Sequence, residues 1–393
     1  MPRCRRFAGL TWRFPFRRSG LAVARTSTRF RRAPHLVLYW HQDRLVAYNY
    51  ATGRRIPLST DLCRLLDCCP GWRRRDQIAV ALDLPSGPLR RLLERLVTRG
   101  LLERSDRPAD PRVRAMHTLD SWNPAAGFFH SATRDVQFWS PPEAAKQSRL
   151  QALRVPMPPA TKRYRGAVQV PLPPATRGEF ADVLLARRTW RRFSRAKDVT
   201  VQELATLLAL SVGVQQWVDA KPRRLPLKTS PSGGARHPIE CYVLARKVAG
   251  LSAGIYHYDA AGHRLERLRG RVSHDRIAAY YPSSGHFAGA NVHIFLTAVL
   301  FRQLWRYPYA RAYRAALAEA GHVCQTFCLT ATWLGLAPFC LMGLSDSRLE
   351  RDLGLDGITE CVVYAAGVGH RPQGSLWAPL ARGSLTATRN RRL

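Results

Sequence analysis

The stretch from Ser230 to Leu244, Ser-Pro-Ser-Gly-Gly-Ala-Arg-His-Pro-Ile-Glu-Cys-Tyr-Val-Leu, constrains this chain more than any other segment. Ser232, Gly233, Gly234 and Ala235 form a small-residue loop. Backbone N–H groups in such a loop can approach a flat or anionic ligand closely, because almost nothing larger than a methyl group stands in the way. Arg236-His237-Pro238 follow. An apolar strand candidate, Ile239–Leu244, comes directly after and holds the loop rigid. Alone this is a turn before a strand. It gains meaning from Ala186-Arg-Arg-Thr-Trp-Arg-Arg-Phe193 upstream and Glu319-Ala-Gly-His322 downstream.

At 393 residues the chain has room for two domains, and 46% hydrophobic content supports a real core. The formal net charge is +35, carried by 56 Arg and only 6 Lys. A preference so one-sided fits a compositional background as well as it fits an acidic partner. The first 100 residues hold 21 Arg against 6 acidic residues, so the charge is skewed toward the N-terminus. Nine Cys occur, at 4, 63, 68, 69, 241, 324, 328, 340 and 361, with no Cys-x-x-Cys pair and no zinc spacing. Cys324 and Cys328 stand one helical turn apart in an apolar helix and read first as buried thiols, with a metal or redox pair as the other reading, so no metal is expected. A reducing cytoplasm fits this pattern. Val323–Ser345 carries no charged residue, yet Gly335 and Pro338 interrupt it. It predicts a helix ending near Leu336 and then a buried strand, not a membrane span. Residues 1–34 lack the apolar core of a signal peptide.

Along the chain, residues 1–34 read as a basic, poorly ordered arm. Residues 35–104 read as a winged-helix-like module: a hairpin from His35–Trp40 and Leu45–Tyr50, three short helices, and a wing strand at 101–104. Its last helix carries Arg90, Arg91, Arg95 and Arg99, as a DNA-binding helix would. Recognition of a peptide added along a sheet edge is the first reading of the module, simple packing on the second domain the next, and DNA binding the last. Residues 105–178 read as a Pro-rich linker, 179–375 as an α+β domain and 376–393 as a basic tail. In the α+β domain, helices are expected at 179–187, 201–210, 275–281, 311–334 and 347–353. Strands are expected at 239–245, 255–258, 292–299, 338–342 and 360–366.

Arg187, Arg188, Thr189 and Arg191 concentrate three cations and a hydroxyl just after a helix. Guanidinium groups bind phosphate bidentately, so these residues read either as a phosphate cluster or as a solvated basic turn. Gly367-Val-Gly-His-Arg371 ends the last strand and offers a further cation. His322 reads first as a core or capping histidine and second as a catalytic one.

Taken in order, Arg187–Arg191, Pro231–Glu240, Glu319–His322, Leu334–Leu336 and Gly367–Gly369 resemble the nitroreductase-like flavoproteins, specifically the SagB/McbC-type azoline dehydrogenases of peptide maturation. The resemblance covers about Glu179–Pro372. It implies a nitroreductase-like fold and FMN as cofactor. Arg187, Arg188, Thr189, Arg191 and Arg371 would lie on its phosphate, ribityl chain and pyrimidine edge. Ser232, Gly233, Gly234 and Ala235 would lie against the ring, with Arg236 available for the phosphate or a partner subunit. Met342 and Gly343 fall where relatives aim a backbone N–H at the flavin. Such relatives often carry a Lys-Tyr pair just before the Glu-Ala-Gly-His helix. Here the pair reads Arg306-Tyr307, and since Arg stays protonated, either proton transfer falls to Tyr307 or the enzyme performs a different oxidation, Tyr307 reading equally as a packed aromatic. Gln325-Thr326 and Arg236-His237 also depart from the usual pattern.

The implied activity is oxidation of thiazoline or oxazoline rings to azoles in a ribosomally synthesised, post-translationally modified precursor peptide. The enzyme would work as a cytoplasmic homodimer, after a YcaO-type cyclodehydratase, with no membrane and no specific nucleic acid as partner. Two other readings stand beside it: a nitroreductase-fold enzyme acting on small molecules, and a flavin-linked DNA-binding regulator.

Overall fold

The structure, a computed structural model, describes residues 28–372 except 120–121, 163–167, 169, 177 and 221–222. The chain divides into two compact units. One comprises residues up to Ala33 with Leu58–Pro108, the other Pro34–Pro57 with Ala109 onward.

In the first unit, strand Arg29–Arg32 pairs antiparallel with Arg73–Arg74 and with Leu102–Arg104. Helices Thr60–Cys68, Arg75–Leu82 and Ser86–Thr98 pack beside this small sheet. The Ser59 side chain accepts from the Leu62 N–H and starts the first helix, a cap worth about 1 kcal/mol. Leu89, Leu93 and Leu96 bury one face of the third helix, while Arg90, Arg91, Arg95 and Arg99 stay exposed. The helices and wing strand match the sequence expectation, but the grouping differs. Arg29–Arg32, expected in a disordered arm, is a strand because Phe30 is buried at its centre. The expected hairpin, Leu36–His41 with Arg44–Asn49, gains a third strand, Arg54–Pro57, and belongs to the second unit. The expected arm at residues 1–27 and tail at 376–393 lie outside the described residues.

The expected linker is not simply extended. Pro111–His117, Pro124–Ala132 and Pro141–Arg154 are helices, each with proline in its first turn. There the missing N–H costs nothing and the fixed φ favours the helix. Asp110 and Asn123 cap the first two, and Ser140 with Glu143 forms a capping box for the third.

The centre of the second unit is a six-stranded antiparallel sheet. Its order is Arg264–Arg269, Gly254–Asp259, Ile239–Ala245, Val292–Val299, Glu360–His370, Leu336–Leu341. Both faces are covered. Cys241, Val243 and Ala245 join a core with helices Val201–Ser211 and Arg311–Trp333. Tyr242 and Leu244 join a second core with Tyr280, Tyr281, Phe287, Phe295 and Phe339. Side chains alternate between faces along a strand, so a strand buried on both sides reads as one apolar run. Helix Arg311–Trp333 ends at Gly335 (φ +72°), and strand Leu336–Leu341 follows. Among the described residues, no helix is long and apolar enough to cross a membrane. Helix Leu300–Arg306 and the hairpin Gln216–Ala220/Arg223–Leu227 carried no recognised sequence signal.

Candidate active site

The structure gathers the candidate residues into two groups. The first is the small-residue loop with the end of helix Leu300–Arg306. Gly234 (φ +64°), Ala235 (φ +51°) and His237 (φ +43°) all lie in the left-handed region. For the two non-glycine residues this stores strain, about 1–3 kcal/mol each. The surroundings hold them there. The Ser232 hydroxyl accepts from the His237 N–H at 2.9 Å. The His237 imidazole donates from Nε2 to the Pro226 carbonyl at 3.0 Å, and its Nδ1 lies 3.5 Å from Glu319. Arg302 donates to the His237 carbonyl, and the Ser230 hydroxyl bonds Thr326 of the long helix.

Tyr307 faces the glycines. A β-carbon placed on Gly234 would stand 3.0 Å from its hydroxyl, and one on Gly233 would stand 2.5 Å from Gln303 Nε2. Both glycines are exposed on their outer side. Gln303 is only 2% exposed, and its Oε1 has no hydrogen-bond partner. Arg306 lies over the Tyr307 ring at 5.8 Å, and Arg236 over the Trp305 ring at 5.1 Å. The sequence reading missed Gln303, although it sits four residues before Tyr307, one helical turn away.

A charged network stands behind this loop. Glu240 pairs with Arg302 and, at 3.1 Å, with His257, which also holds Glu266 at 2.8 Å. Burial pushes the Glu240 carboxyl up, yet hydrogen bonds from His257 and Arg302 hold it below its ordinary value. The hydrogen bond to Glu240, joined by that to Glu266, outweighs burial and lifts His257 to about 9. Burial, reinforced by the charge of Arg302, lowers the ammonium of Lys228, two residues before Ser230, despite the opposing charges of Glu240 and Glu319.

The second group surrounds Arg187–Arg191. This segment leaves helix Glu179–Ala186 and crosses the edge strand, with the Trp190 N–H bonded to the Pro338 carbonyl. Arg371 lies over the Trp190 ring at 5.4 Å, which brings the two ends of the domain together. Ser194 N–H bonds His370, and Phe193 fills the space above Gly369. Arg188 donates to its own chain at Leu185 and Arg187, so it works first as a local brace. Arg187 and Thr189 are half-buried, Arg191 and Arg371 exposed. Met342 is exposed just beyond the same edge strand, and Gly343 lies against Phe138. His322 is not a core histidine: it is exposed on the long helix.

A nitroreductase family model matches residues 184–370. The chain is 30% identical over 173 residues to MJ1384 of Methanocaldococcus jannaschii, described as a nitroreductase, covering 44% of this chain and 82% of that protein. It is 34% identical over 147 residues to the trifolitoxin-processing protein TfxB of Rhizobium leguminosarum bv. trifolii, covering 35% of this chain and 38% of the relative. It is 29% identical over 131 residues to the microcin B17-processing protein McbC of Escherichia coli, covering 32% and 48%. The matched stretch thus spans less than half of each of these two processing proteins. Among solved structures, a chain of the E. coli microcin synthetase McbBCD complex with truncated pro-MccB17 bound aligns at TM-score 0.46 and 19% identity. The alignment covers 67% of this chain and 98% of that one.

The residues present fit a flavin. Gly233 and Gly234 let Gln303 and Tyr307 come close on one side while their outer side stays exposed to a flat ring, the Gln303 carbonyl beside them is orphaned, and Arg371 over Trp190 adds a guanidinium near the Arg187–Arg191 segment for a phosphate. The chain belongs to the nitroreductase family of flavin-dependent oxidoreductases.

Proposed function

We propose that this chain is an FMN-dependent dehydrogenase that oxidises azoline rings to azoles in a ribosomally synthesised peptide. The observation that carries this reading is the placement of the Tyr307 hydroxyl over the Gly233–Gly234 loop. The similarity of the flavin domain to two peptide-processing proteins supports it. Arg187, Arg191 and Arg371 hold the phosphate, and Thr189 takes the ribityl side. Ser232–Ala235 lies against the ring, while backbone at Met342–Gly343 meets its edge. The phosphate group and the loop group come from different copies of a homodimer, so each site is completed across the interface.

FMN, when bound, supplies the two-electron acceptor. The chain handles the proton. An azoline losing two hydrogens gives up one as a proton, and the Tyr307 oxygen takes it. The phenol must first give up its own proton to solvent, and Arg306, always charged and over the ring, favours the phenolate that then takes the proton from the azoline. Lys228 is a second proton-bearing group beside the loop and takes the place of the lysine missing from the Arg306-Tyr307 pair. The unit built on Leu58–Pro108 and the three-stranded sheet Leu36–Pro57 serve peptide recognition, with an extended peptide adding along a sheet edge. The precursor reaches this enzyme after a cyclodehydratase has formed the rings.

The test is a purified chain given precursor peptide already cyclised by a YcaO-type enzyme. The expected results are release of FMN on denaturation and loss of two hydrogens per ring in the peptide mass. Unchanged peptide, together with rapid nitroaromatic reduction by a reduced nicotinamide, would establish the small-molecule reading instead. The similarity to the archaeal nitroreductase favours that second reading.

A further inference from the structure

Cys324 and Cys328 occupy successive turns of helix Arg311–Trp333, and Cys340 lies on the neighbouring strand Leu336–Leu341. Their three sulfur atoms lie within 4.8 Å of one another. Among the described residues, this is the one group of three or more Cys, His, Asp or Glu side chains close enough to share an ion. Cys324 and Cys328 are buried, and Cys340 is half-buried, which leaves a way in.

Ordinary buried thiols are small apolar fillers, and apolar packing gives sulfur atoms from two elements no reason to converge.

The donor set selects the ion. It is all sulfur, which favours soft metals over magnesium, calcium or manganese. It offers three ligands, and structural zinc takes four. Three sulfurs around an ion in a plane, at thiolate–metal distances of about 2.3 Å, stand about 4 Å apart. The observed spacing reaches that with small side-chain rotations. We propose that Cys324, Cys328 and Cys340 form a three-thiolate site for copper(I). The ion enters already in its monovalent state, so no electron is transferred. The thiol protons leave to solvent.

The test uses the full chain, reduced and free of oxygen, titrated with copper(I) held by bicinchoninate. Loss of the chelator's colour reports transfer. One equivalent per chain is expected, weakened on the order of 100-fold or more in Cys340→Ser and in Cys324→Ala, and unchanged in Cys63→Ser and Cys68→Ser. X-ray absorption of the copper-loaded wild-type chain, which needs no variant to fold, is expected to show three sulfur neighbours at about 2.3 Å. Copper left with the chelator, equal affinity in Cys340→Ser, or nitrogen or oxygen neighbours around the metal would each overturn the proposal.

Discussion

Two polar networks in the second unit move a histidine in opposite directions. Behind the small-residue loop, His257 sits between Glu240 and Glu266 and is raised to about 9. Deeper in the unit, His130 is 3% exposed. Its Nε2 donates to the Gly357 carbonyl at 2.9 Å, and its Nδ1 accepts from the Tyr313 hydroxyl at 3.0 Å. Burial lowers it to about 4. Beside it Arg134 pairs with Glu350, whose carboxyl burial raises to about 7 despite that partner. The difference lies in what replaces water. Near the loop, ionised carboxylates do, and charge is favoured. Around His130, a carbonyl, a hydroxyl and rings do, with the Arg134 guanidinium beside them, and positive charge is suppressed. The outer network backs the strained loop and the chemistry, while the inner one joins helices Pro124–Ala132 and Asp346–Leu353 and serves stability.

The largest expected effect breaks the loop side alone. Tyr307→Phe removes the hydroxyl proposed as proton acceptor but leaves the ring that packs against Gly234. Turnover of azoline peptide is expected to fall about 10²–10⁴-fold. Bound flavin and melting temperature should hold. Retained turnover would move the proton to Lys228, which the matching Lys228→Gln variant would then reveal.

The next effect falls on the inner network. Arg134→Met strands Glu350 without its partner. At pH 8.5, where Glu350 is ionised, the cost is expected to be about 3–5 kcal/mol, a drop of roughly 10 °C in Tm. At pH 5.5 Glu350 is protonated and most of that cost disappears. Replacing both partners, Arg134→Met with Glu350→Leu, should recover the loss at pH 8.5. An equal penalty at both pH values would mean that Arg134 acts through its hydrogen bond to the Gly357 carbonyl instead.

How much of this was legible in sequence follows the same division. Ile239–Ala245 was visible because burial on both faces makes an apolar run, and the loop was visible because small residues cluster there. The strain at Ala235 and His237 was not, because alanine does not favour a positive φ and histidine adopts one only in a minority of places. Gln303 was hidden by an unremarked helix, and its role depends on a loop some seventy residues earlier in the chain. Prolines 111, 124 and 141 misled, since the same residue that ends a helix also begins one. Cys324 and Cys328 were seen as a pair. Cys340 joins them only through the packing of a strand on a helix, which spacing does not encode. The inner network was unread altogether: His130 and Glu350 are more than two hundred residues apart.

The smallest effect is the most direct measure of the contrast, because the two histidines should tilt the stability curve in opposite senses. His257 has a folded-state value, about 9, above its ordinary 6.5. The stability it contributes is complete below pH 6.5 and is lost as pH rises through 9. His130 has a folded-state value, about 4, below 6.5. The unfolded chain takes up that proton first, so stability is lost as pH falls from 6.5 toward 4. Glu350, raised to about 7, gains stability as pH falls over the same acid range and opposes His130, so chemical denaturation across pH 4–9.5 is read as wild type minus variant. His257→Gln is expected to remove a loss on the alkaline side alone, and His130→Gln a loss on the acid side alone, each on a lower plateau. If His257→Gln instead flattened the acid side, the carboxylates around it would be protonating first, and the charge assigned to the loop network would be wrong.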